Sequence, residues 1–265
     1  MTEKLYGIRK RIEEQRPLIH CITNPISING CANAILSLGA KPIMAEHPME
    51  AGEITCTSDS LMLNIGNITD ARMESMPISL KKAKEKNIPV LLDVVGIACS
   101  GLRRRYVLNL LEISVPSVIK GNYSEIAALN NEEYSCPGVD AEASLDVSVI
   151  SGAAKELALK YKTVILASGE TDIITDGKRV VHVKNGTYQL ARITGTGCML
   201  GAVCAVFLTT LAPIDASVFA CVYFGICGEL AKTEKGCGSY AVNLMDRIST
   251  LGKDEISKHI KMEEM

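Results

Sequence analysis

The segment Thr194–Cys198, which reads Thr-Gly-Thr-Gly-Cys, is the part of the sequence that points most directly to chemistry. It precedes the apolar run Met199–Leu208, whose composition predicts a buried helix. Two glycines one residue apart let a backbone adopt positive φ and approach a ligand closely. We therefore expect Gly195, Thr196 and Gly197 to form an anion hole at the helix N-terminus, where free N–H groups and the helix dipole favour a phosphate.

Cys198 falls in the first turn of this predicted helix, where a thiol is normally acidified. A thiolate there would accept the proton of an attacking hydroxyl group, so we predict Cys198 as the catalytic base. Phosphoryl transfer depends mainly on positioning and charge neutralisation, and a weak base is sufficient for it. The alternative is a small buried helix residue. From this segment alone, acyl, redox and phosphoryl chemistry all remain open.

The helices and strands around this segment are predicted to follow an α/β pattern, because short apolar runs alternate with amphipathic stretches. The predicted strands are Leu18–Ile22, Pro42–Met44, Leu61–Ile65, Val90–Val95, Ser117–Ile119 and Thr163–Ala167. The predicted helices between them are Pro25–Leu38, Asp70–Lys86, Leu102–Glu112, Tyr123–Leu129 and Asp146–Tyr161. We expect a mainly parallel central sheet with helices on both faces.

The pattern changes near the C-terminal end of the predicted sheet. Asp172–Thr175 and Val180–Val183 flank an Asp-Gly-Lys turn, which predicts an antiparallel ribbon at the edge of the sheet. Three further helices are predicted at Gly197–Leu211, Asp215–Ala231 and Ser239–Leu251. The stretch Asn130–Leu145 is predicted as a loop. Without a linker or an internal repeat, residues 1–265 are expected to form a single domain.

Polar residues collect where the predicted strands end, and ligands of open α/β sheets bind outside those carboxyl ends. The residues expected at this edge are Asn24, Asn64, Asp93, Lys120, Asn122 and Ser168. Their convergence is stronger evidence for a site than any one of them alone.

Asp93 and Glu125 are expected at neighbouring strand ends, and one interpretation is a magnesium site that Asn122 joins through water. For Asp93 the alternative is a helix N-cap or a turn. Asn122 and Glu125 also fit a helix-capping box, which accounts for the pair without a metal. Lys120 is predicted to meet a nucleotide phosphate, or else to be a solvated lysine. Ser168 is predicted to line the nucleotide pocket, with a plain turn as the alternative.

Composition excludes several classes of protein. The net charge is −2 and no extended basic patch occurs, so nucleic acid is not expected as a partner. The uncharged stretch Ile193–Ile214 has too short an apolar core for a membrane span, which needs ~18 residues. Met1–Ile12 is charged and helical in pattern, unlike a signal peptide. The ten cysteines include no Cys-x-x-Cys pair, and we expect most of them to be small buried thiols in a cytoplasmic protein. P-loop and dinucleotide-binding motifs do not occur.

Eight ordered motifs between about Pro17 and Leu251 resemble the hydroxyethylthiazole kinases, a family of the ribokinase-like superfamily. The motifs are His20–Asn24, Gly39–Met44, Leu63–Gly66, Leu92–Gly96, Gly121–Ile126, Gly169–Asp172, Thr194–Cys198 and Lys235–Ser239.

This resemblance implies ATP-dependent phosphorylation of 4-methyl-5-(2-hydroxyethyl)thiazole for thiamine salvage, with Mg²⁺, by a homotrimer whose thiazole sites lie at subunit interfaces. It assigns Met44 and Gly195 to substrate contact, and Asn24 and Asn64 bear on substrate choice. Cys198 stands where most ribokinase-like relatives have a catalytic aspartate.

The resemblance also assigns Lys120 and Ser168 to ATP binding, where the family usually has arginine and threonine. Asn122 and Glu125 match its magnesium-associated Asn-x-x-Glu motif. Two other functions stay open: another ribokinase-like kinase for a different small alcohol, and a weakly catalytic protein that binds thiazole or nucleotide.

Overall fold

The computed structural model describes residues 1–131, 133–134 and 146–265, so most of the predicted loop Asn130–Leu145 lies outside the described residues. The described strands are β1 Leu18–Ile22, β2 Lys41–Ile43, β3 Ser60–Asn64, β4 Val90–Asp93, β5 Val118–Asn122, β6 Val164–Ser168, β7 Asp172–Thr175, β8 Val180–Val183 and β9 Met262–Glu264. They form one sheet in the order β2-β1-β3-β4-β5-β6-β7-β8-β9.

The strands β1 to β6 pair in parallel, whereas β6 to β9 pair antiparallel. The predicted parallel sheet and its antiparallel edge ribbon are therefore confirmed. The sequence did not predict β9, which pairs with β8 and extends the ribbon by one strand.

Helices cover both faces of the sheet, as the alternating pattern predicted. The described helices are α1 Thr2–Gln15, α2 Ile28–Ser37, α3 Pro48–Cys56, α4 Asp70–Lys86, α5 Gly101–Ile113, α6 Tyr123–Asn130, α7 Val147–Tyr161, α8 Thr196–Phe207, α9 Pro213–Leu230, α10 Cys237–Thr250 and α11 Lys253–His259. Along β3, Leu61 and Leu63 pack into one buried cluster and Met62 into the other, because successive side chains of a strand alternate between faces.

The two most apolar helices, α8 and α9, lie in the core. Within the described part of the chain, α9 alone is long and apolar enough to cross a membrane, and 72% of its apolar window is buried inside the fold. Phe207 of α8 packs edge-to-face on Tyr223 of α9, with ring centroids 5.9 Å apart. Nine cysteines in the described ranges are free thiols and six of these are buried, as predicted.

Helix α8 approaches the sheet closely because of Gly201. A Cβ at this position would lie 3.0 Å from the Met62 side chain and 3.5 Å from a carboxylate oxygen of Asp93. The glycine therefore lets α8 pack against β3 and β4, and the N-terminus of α8 reaches the carboxyl ends of these strands.

Candidate active site

Three polar residues stand side by side at the end of β3, the end of β4 and two residues before the end of β5. The strand register pairs Asn64 with Asp93, and Asp93 with Lys120. Paired residues of parallel strands point to the same face, so the three side chains lie together beneath α8. The predicted gathering of polar residues at this edge is present for these three.

Lys120 and Asp93 form a buried ion pair. The Lys120 Nζ lies 3.1 Å from Oδ1 and 3.2 Å from Oδ2 of Asp93, and both side chains are almost fully buried. Burial raises the pKa of Asp93, and the Lys120 cation counteracts part of this rise. Burial lowers the pKa of Lys120, but the negative charge of Asp93 and its other acidic neighbours outweighs burial and leaves the pKa above its usual value. Lys120 is therefore a fixed cation.

Two asparagine amides connect this ion pair to the thiol of Cys198. Asn64 Nδ2 donates to Asp93 Oδ2 at 3.0 Å and to Cys198 Sγ at 3.2 Å. Asn24 Nδ2 donates to Asn64 Oδ1 at 3.0 Å and lies 3.5 Å from the same sulfur. Asn24, Asn64, Asp93, Lys120 and Cys198 thus form one continuous network, which we call the asparagine network.

The N-terminus of α8 lies above the asparagine network. Gly195 is the N-cap residue and has φ 85°, which favours glycine because it lies in the left-handed region. A Cβ at Gly197 would lie 3.8 Å from Lys120 Nζ. The Thr196 hydroxyl donates back to Leu190 O at 2.9 Å, away from the helix start. Backbone N–H groups, the positive end of the helix dipole and one ammonium group therefore meet here, which suits an anion.

The predicted acidification of Cys198 is wrong. Burial raises the pKa of its thiol, and the neighbouring charge of Asp93 raises it further, whereas Lys120 compensates only in part. The sequence reveals that Cys198 stands in the first turn of a helix, but it does not reveal that the side chain is only 9% exposed. At neutral pH Cys198 is a neutral thiol, so a base role requires its deprotonation to be coupled to the chemical step.

Asn122 and Glu125 form the capping box of α6. Asn122 Oδ1 accepts the backbone N–H of Glu125 at 2.9 Å, and Glu125 Oε2 accepts the backbone N–H of Asn122 at 2.7 Å. The other oxygen, Oε1, accepts the backbone N–H of Gly96 at 2.7 Å. Burial, together with the charge of Asp93, raises the pKa of Glu125 to about 7.

The carboxylates fit a magnesium ion through water and do not fit direct coordination. Across residues 1–131, 133–134 and 146–265, no three His, Cys, Asp or Glu side chains converge as a metal site. Lys120 and Asn64 already occupy the oxygens of Asp93, and each oxygen of Glu125 accepts a backbone N–H. A carboxylate oxygen has two lone pairs, so Glu125 keeps acceptor capacity for a water, and Mg²⁺ retains several waters in proteins.

Ser168 and Met44 lie outside the asparagine network. Ser168 ends β6 beside Asn122, and its hydroxyl donates to Gly121 O at 3.3 Å. Met44 follows β2, which ends one residue earlier than predicted, and its half-buried side chain packs against the core.

The sequence did not indicate two buried residues that hold the loops of this edge, His20 and Arg72. The Ala45 carbonyl can only accept, so His20 Nε2 donates to it, over 2.8 Å, and Nδ1 lies 2.9 Å from Thr55 Oγ1. Burial lowers the pKa of His20. Arg72 is a fully buried arginine of α4. No local pattern marks it, because it stands in a charged helix turn as a surface arginine does.

The fold is that of the ribokinase-like small-molecule kinases. The pyridoxal kinase of Staphylococcus aureus in complex with ADP superposes with a TM-score of 0.65 over 94% of this chain and 97% of that chain. The two sequences are 14% identical, so this likeness concerns the fold alone.

Closer relatives define the family. A model of the hydroxyethylthiazole kinase family matches residues 9–254. Hydroxyethylthiazole kinase 2 of Clostridium botulinum is 44% identical over 96% of this chain and 98% of its own length. The structure of a hydroxyethylthiazole kinase protein from Pyrococcus horikoshii superposes with a TM-score of 0.91 at 34% identity, over 99% of both chains. The chain belongs to the hydroxyethylthiazole kinase family, a family of phosphotransferases.

Proposed function

We propose that this protein transfers the terminal phosphoryl group of ATP to the hydroxyl group of 4-methyl-5-(2-hydroxyethyl)thiazole, in thiamine salvage. The observation that carries the proposal is the N-terminus of α8, where Gly197 lies over the Lys120 ammonium and next to Cys198. These groups are suited to bind a transferring phosphoryl group. Membership of the hydroxyethylthiazole kinase family supports this role.

The helix N–H groups of Gly195, Thr196 and Gly197 and the ammonium of Lys120 stabilise the charge that develops on the phosphoryl oxygens. Such preorganised donors are the main source of rate in this chemistry. Asp93 holds the ammonium in place through both carboxylate oxygens. Lys120 therefore binds ATP through the phosphate groups of the nucleotide.

As the hydroxyl group attacks, Cys198 gives its own proton to an outside acceptor and receives the proton of the hydroxyl group, while the new P–O bond forms and the P–O bond to ADP breaks. The amides of Asn24 and Asn64 donate to the Cys198 sulfur. These hydrogen bonds stabilise the negative charge on the sulfur when its own proton leaves. Asn24 and Met44 contact the thiazole, while Asn64 is fully buried and acts through the sulfur.

Mg²⁺, when bound, neutralises negative charge on the phosphate oxygens of ATP. Glu125, Asn122 and Asp93 would hold it through water, and Ser168 lines the nucleotide side. The proposal includes one kinase domain over residues 1–265, a cytoplasmic location and a homotrimer whose subunits complete the thiazole site. Two exposed apolar side chains in the segments after β1 and β2 support such an interface: Ile26, two residues after Asn24, at 64% exposure, and Met49, five residues after Met44, at 89%.

An ADP-release assay with ATP, Mg²⁺ and hydroxyethylthiazole tests the proposal, with thiazole phosphate identified by mass. We expect turnover that depends on the thiazole. Turnover with another small alcohol and none with the thiazole would favour a different ribokinase-like kinase. Tight thiazole binding without turnover would favour a binding protein.

A further inference from the structure

Arg72 stands in the first turn of α4, and its side chain is 2% exposed. A charged side chain is almost never buried to this degree unless polar partners surround it. Its partners therefore show what the buried charge holds together.

The guanidinium group reaches three loops at once. Its Nη1 donates to Thr23 O at 2.8 Å, and its Nη2 donates to Asn67 O. Its Nε donates to Thr69 Oγ1 at 3.3 Å and faces the Glu46 carboxylate at 3.8 Å. These residues belong to the loops that follow β1, β2 and β3.

The same three loops carry the substrate side of the site. Asn24 adjoins Thr23, Met44 lies two residues before Glu46, and Gly66 adjoins Asn67. The loops after β1 and β3 are in direct contact, because Asn24 Nδ2 donates to Asn64 Oδ1 at 3.0 Å and a Cβ at Gly66 would lie 3.0 Å from Asn24 Nδ2. A small shift of one loop therefore moves the groups that face the substrate.

We propose that Arg72 is a positioning residue for the thiazole alcohol, an inference that rests on the function proposed above. Its planar fork donates in fixed directions to loops that no other described side chain joins in this way, and a lysine ammonium lacks that geometry. The guanidinium thereby sets the distance between Asn24 and Met44 without touching the substrate.

The test compares Arg72→Lys with the unaltered protein in steady-state kinetics for both substrates. We expect the KM for hydroxyethylthiazole to rise about tenfold, as loss of one charge-assisted hydrogen bond implies. The KM for ATP stays unchanged, because α8 and β4 to β6 form the phosphate side. A residue needed only for folding would instead lower the active fraction and leave both KM values unaltered.

Arg9→Lys is the matched control. Arg9 is also a buried arginine that donates to two carbonyls, those of Leu251 and Ser249, and pairs with a glutamate. It joins α1 to the end of α10, and neither helix carries a residue assigned to the site. We expect Arg9→Lys to lower the melting temperature and to leave both KM values unchanged.

Each outcome bears on the inference. A folded Arg72→Lys variant with an unchanged KM for the thiazole, or with both KM values raised equally, overturns it while the proposed function stands. Failure of Arg72→Lys to fold beside a folded Arg9→Lys variant makes Arg72 a folding residue and also overturns it. No thiazole turnover by the unaltered protein overturns the proposed function, and the inference with it.

Discussion

Two helices, α6 and α8, begin at the same edge of the sheet with opposite chemistry. At α6, Asn122 and Glu125 satisfy each other's backbone N–H groups in a closed capping box. At α8, the N-cap is Gly195, which offers no side chain, and the cation of Lys120 lies close by. A capped helix start is already satisfied and contributes stability, whereas an uncapped one leaves its donors for a ligand. Other helices also begin without a side-chain cap, so it is the combination of an uncapped start and a nearby cation that distinguishes α8 from α6 as the proposed phosphate site.

The largest expected effect comes from removing the cation under α8. Lys120→Met leaves the buried charge of Asp93 unpaired, which costs about 3–5 kcal/mol of folding free energy. We expect kcat to fall ~10³-fold or more, as loss of a charge on a transferring phosphoryl group does. Thermal melting and ADP release measure the two effects.

Lys120→Arg is the control for this change. It preserves the charge, and we expect it to retain most of the activity and stability. Full activity in Lys120→Met would contradict the role of the cation at the start of α8.

The next largest effect is expected from the backbone at the uncapped start of α8. Gly195→Ala places a Cβ in a left-handed conformation, 3.2 Å from the Ser27 Cβ. We expect the displaced N–H groups to lower kcat ~10²–10³-fold, as loss of an oxyanion donor does. The measurement is kcat with both substrates saturating.

Gly186→Ala tests whether backbone strain alone has this effect. Gly186 has φ 145°, and a Cβ there meets no atom closer than 3.9 Å. We expect it to be stable enough to assay, with normal kcat. Equal losses of kcat in both variants would mean that backbone strain, and not displacement of the N–H donors, causes the effect at Gly195.

A smaller effect is expected at the start of α6, which the capping box closes. Glu125→Gln removes a negative charge from the proposed metal region, so we expect half-maximal activity to require more Mg²⁺. Glu255→Gln is the matched control, because Glu255 accepts the Gly252 N–H at 3.0 Å in the corresponding position of α11. An unchanged Mg²⁺ requirement in Glu125→Gln would leave this glutamate a capping residue alone.

The Mg²⁺ requirement should also depend on pH. Burial and the charge of Asp93 raise the pKa of Glu125 from 4.5 to about 7. Its carboxylate is therefore protonated below that value and ionised above it, so we expect the requirement to increase as pH falls from 8 to 6. A Mg²⁺ titration of Glu125→Gln should lose this component, and an identical pH dependence in both proteins would exclude Glu125 as its source.

The smallest effect is expected from Cys198→Asp. A carboxylate can accept the same proton, so we expect kinase activity to persist, with a pH profile that extends to lower pH because a carboxyl group ionises below a thiol. Cys198→Ala removes the acceptor and should be less active. A folded but inactive Cys198→Asp variant would assign the thiol to packing rather than to proton transfer.

The sequence predicted what depends on local pattern. The bounds of β1, β7, β8 and α4 agree with the structure, because apolar periodicity and turn residues define such elements. The three-residue strand β9 and the short helices α3 and α11 were missed, since their sequences have weak apolar periodicity and pairing or packing with distant residues stabilises them.

In the candidate site, too, local patterns were predicted and contacts between distant residues were not. Gly195 and Gly197 were found because their spacing carries a backbone requirement. The ion pair of Lys120 with Asp93 was not found, because strand register creates it. The pKa of Cys198 was predicted in the wrong direction because burial, a property of the whole fold, outweighs the position of the thiol in its helix.

On the proposed function, the phosphates of ATP bind at the uncapped start of α8 and not at the capped start of α6. A crystal structure with hydroxyethylthiazole, Mg²⁺ and a non-hydrolysable ATP analogue tests it most directly. We expect the terminal phosphate within hydrogen-bond distance of the backbone N–H groups of Thr196, Gly197 or Cys198, with Lys120 Nζ beside it and the capping box of Asn122 intact. A terminal phosphate bound elsewhere, or one that has opened the capping box of α6, would contradict it.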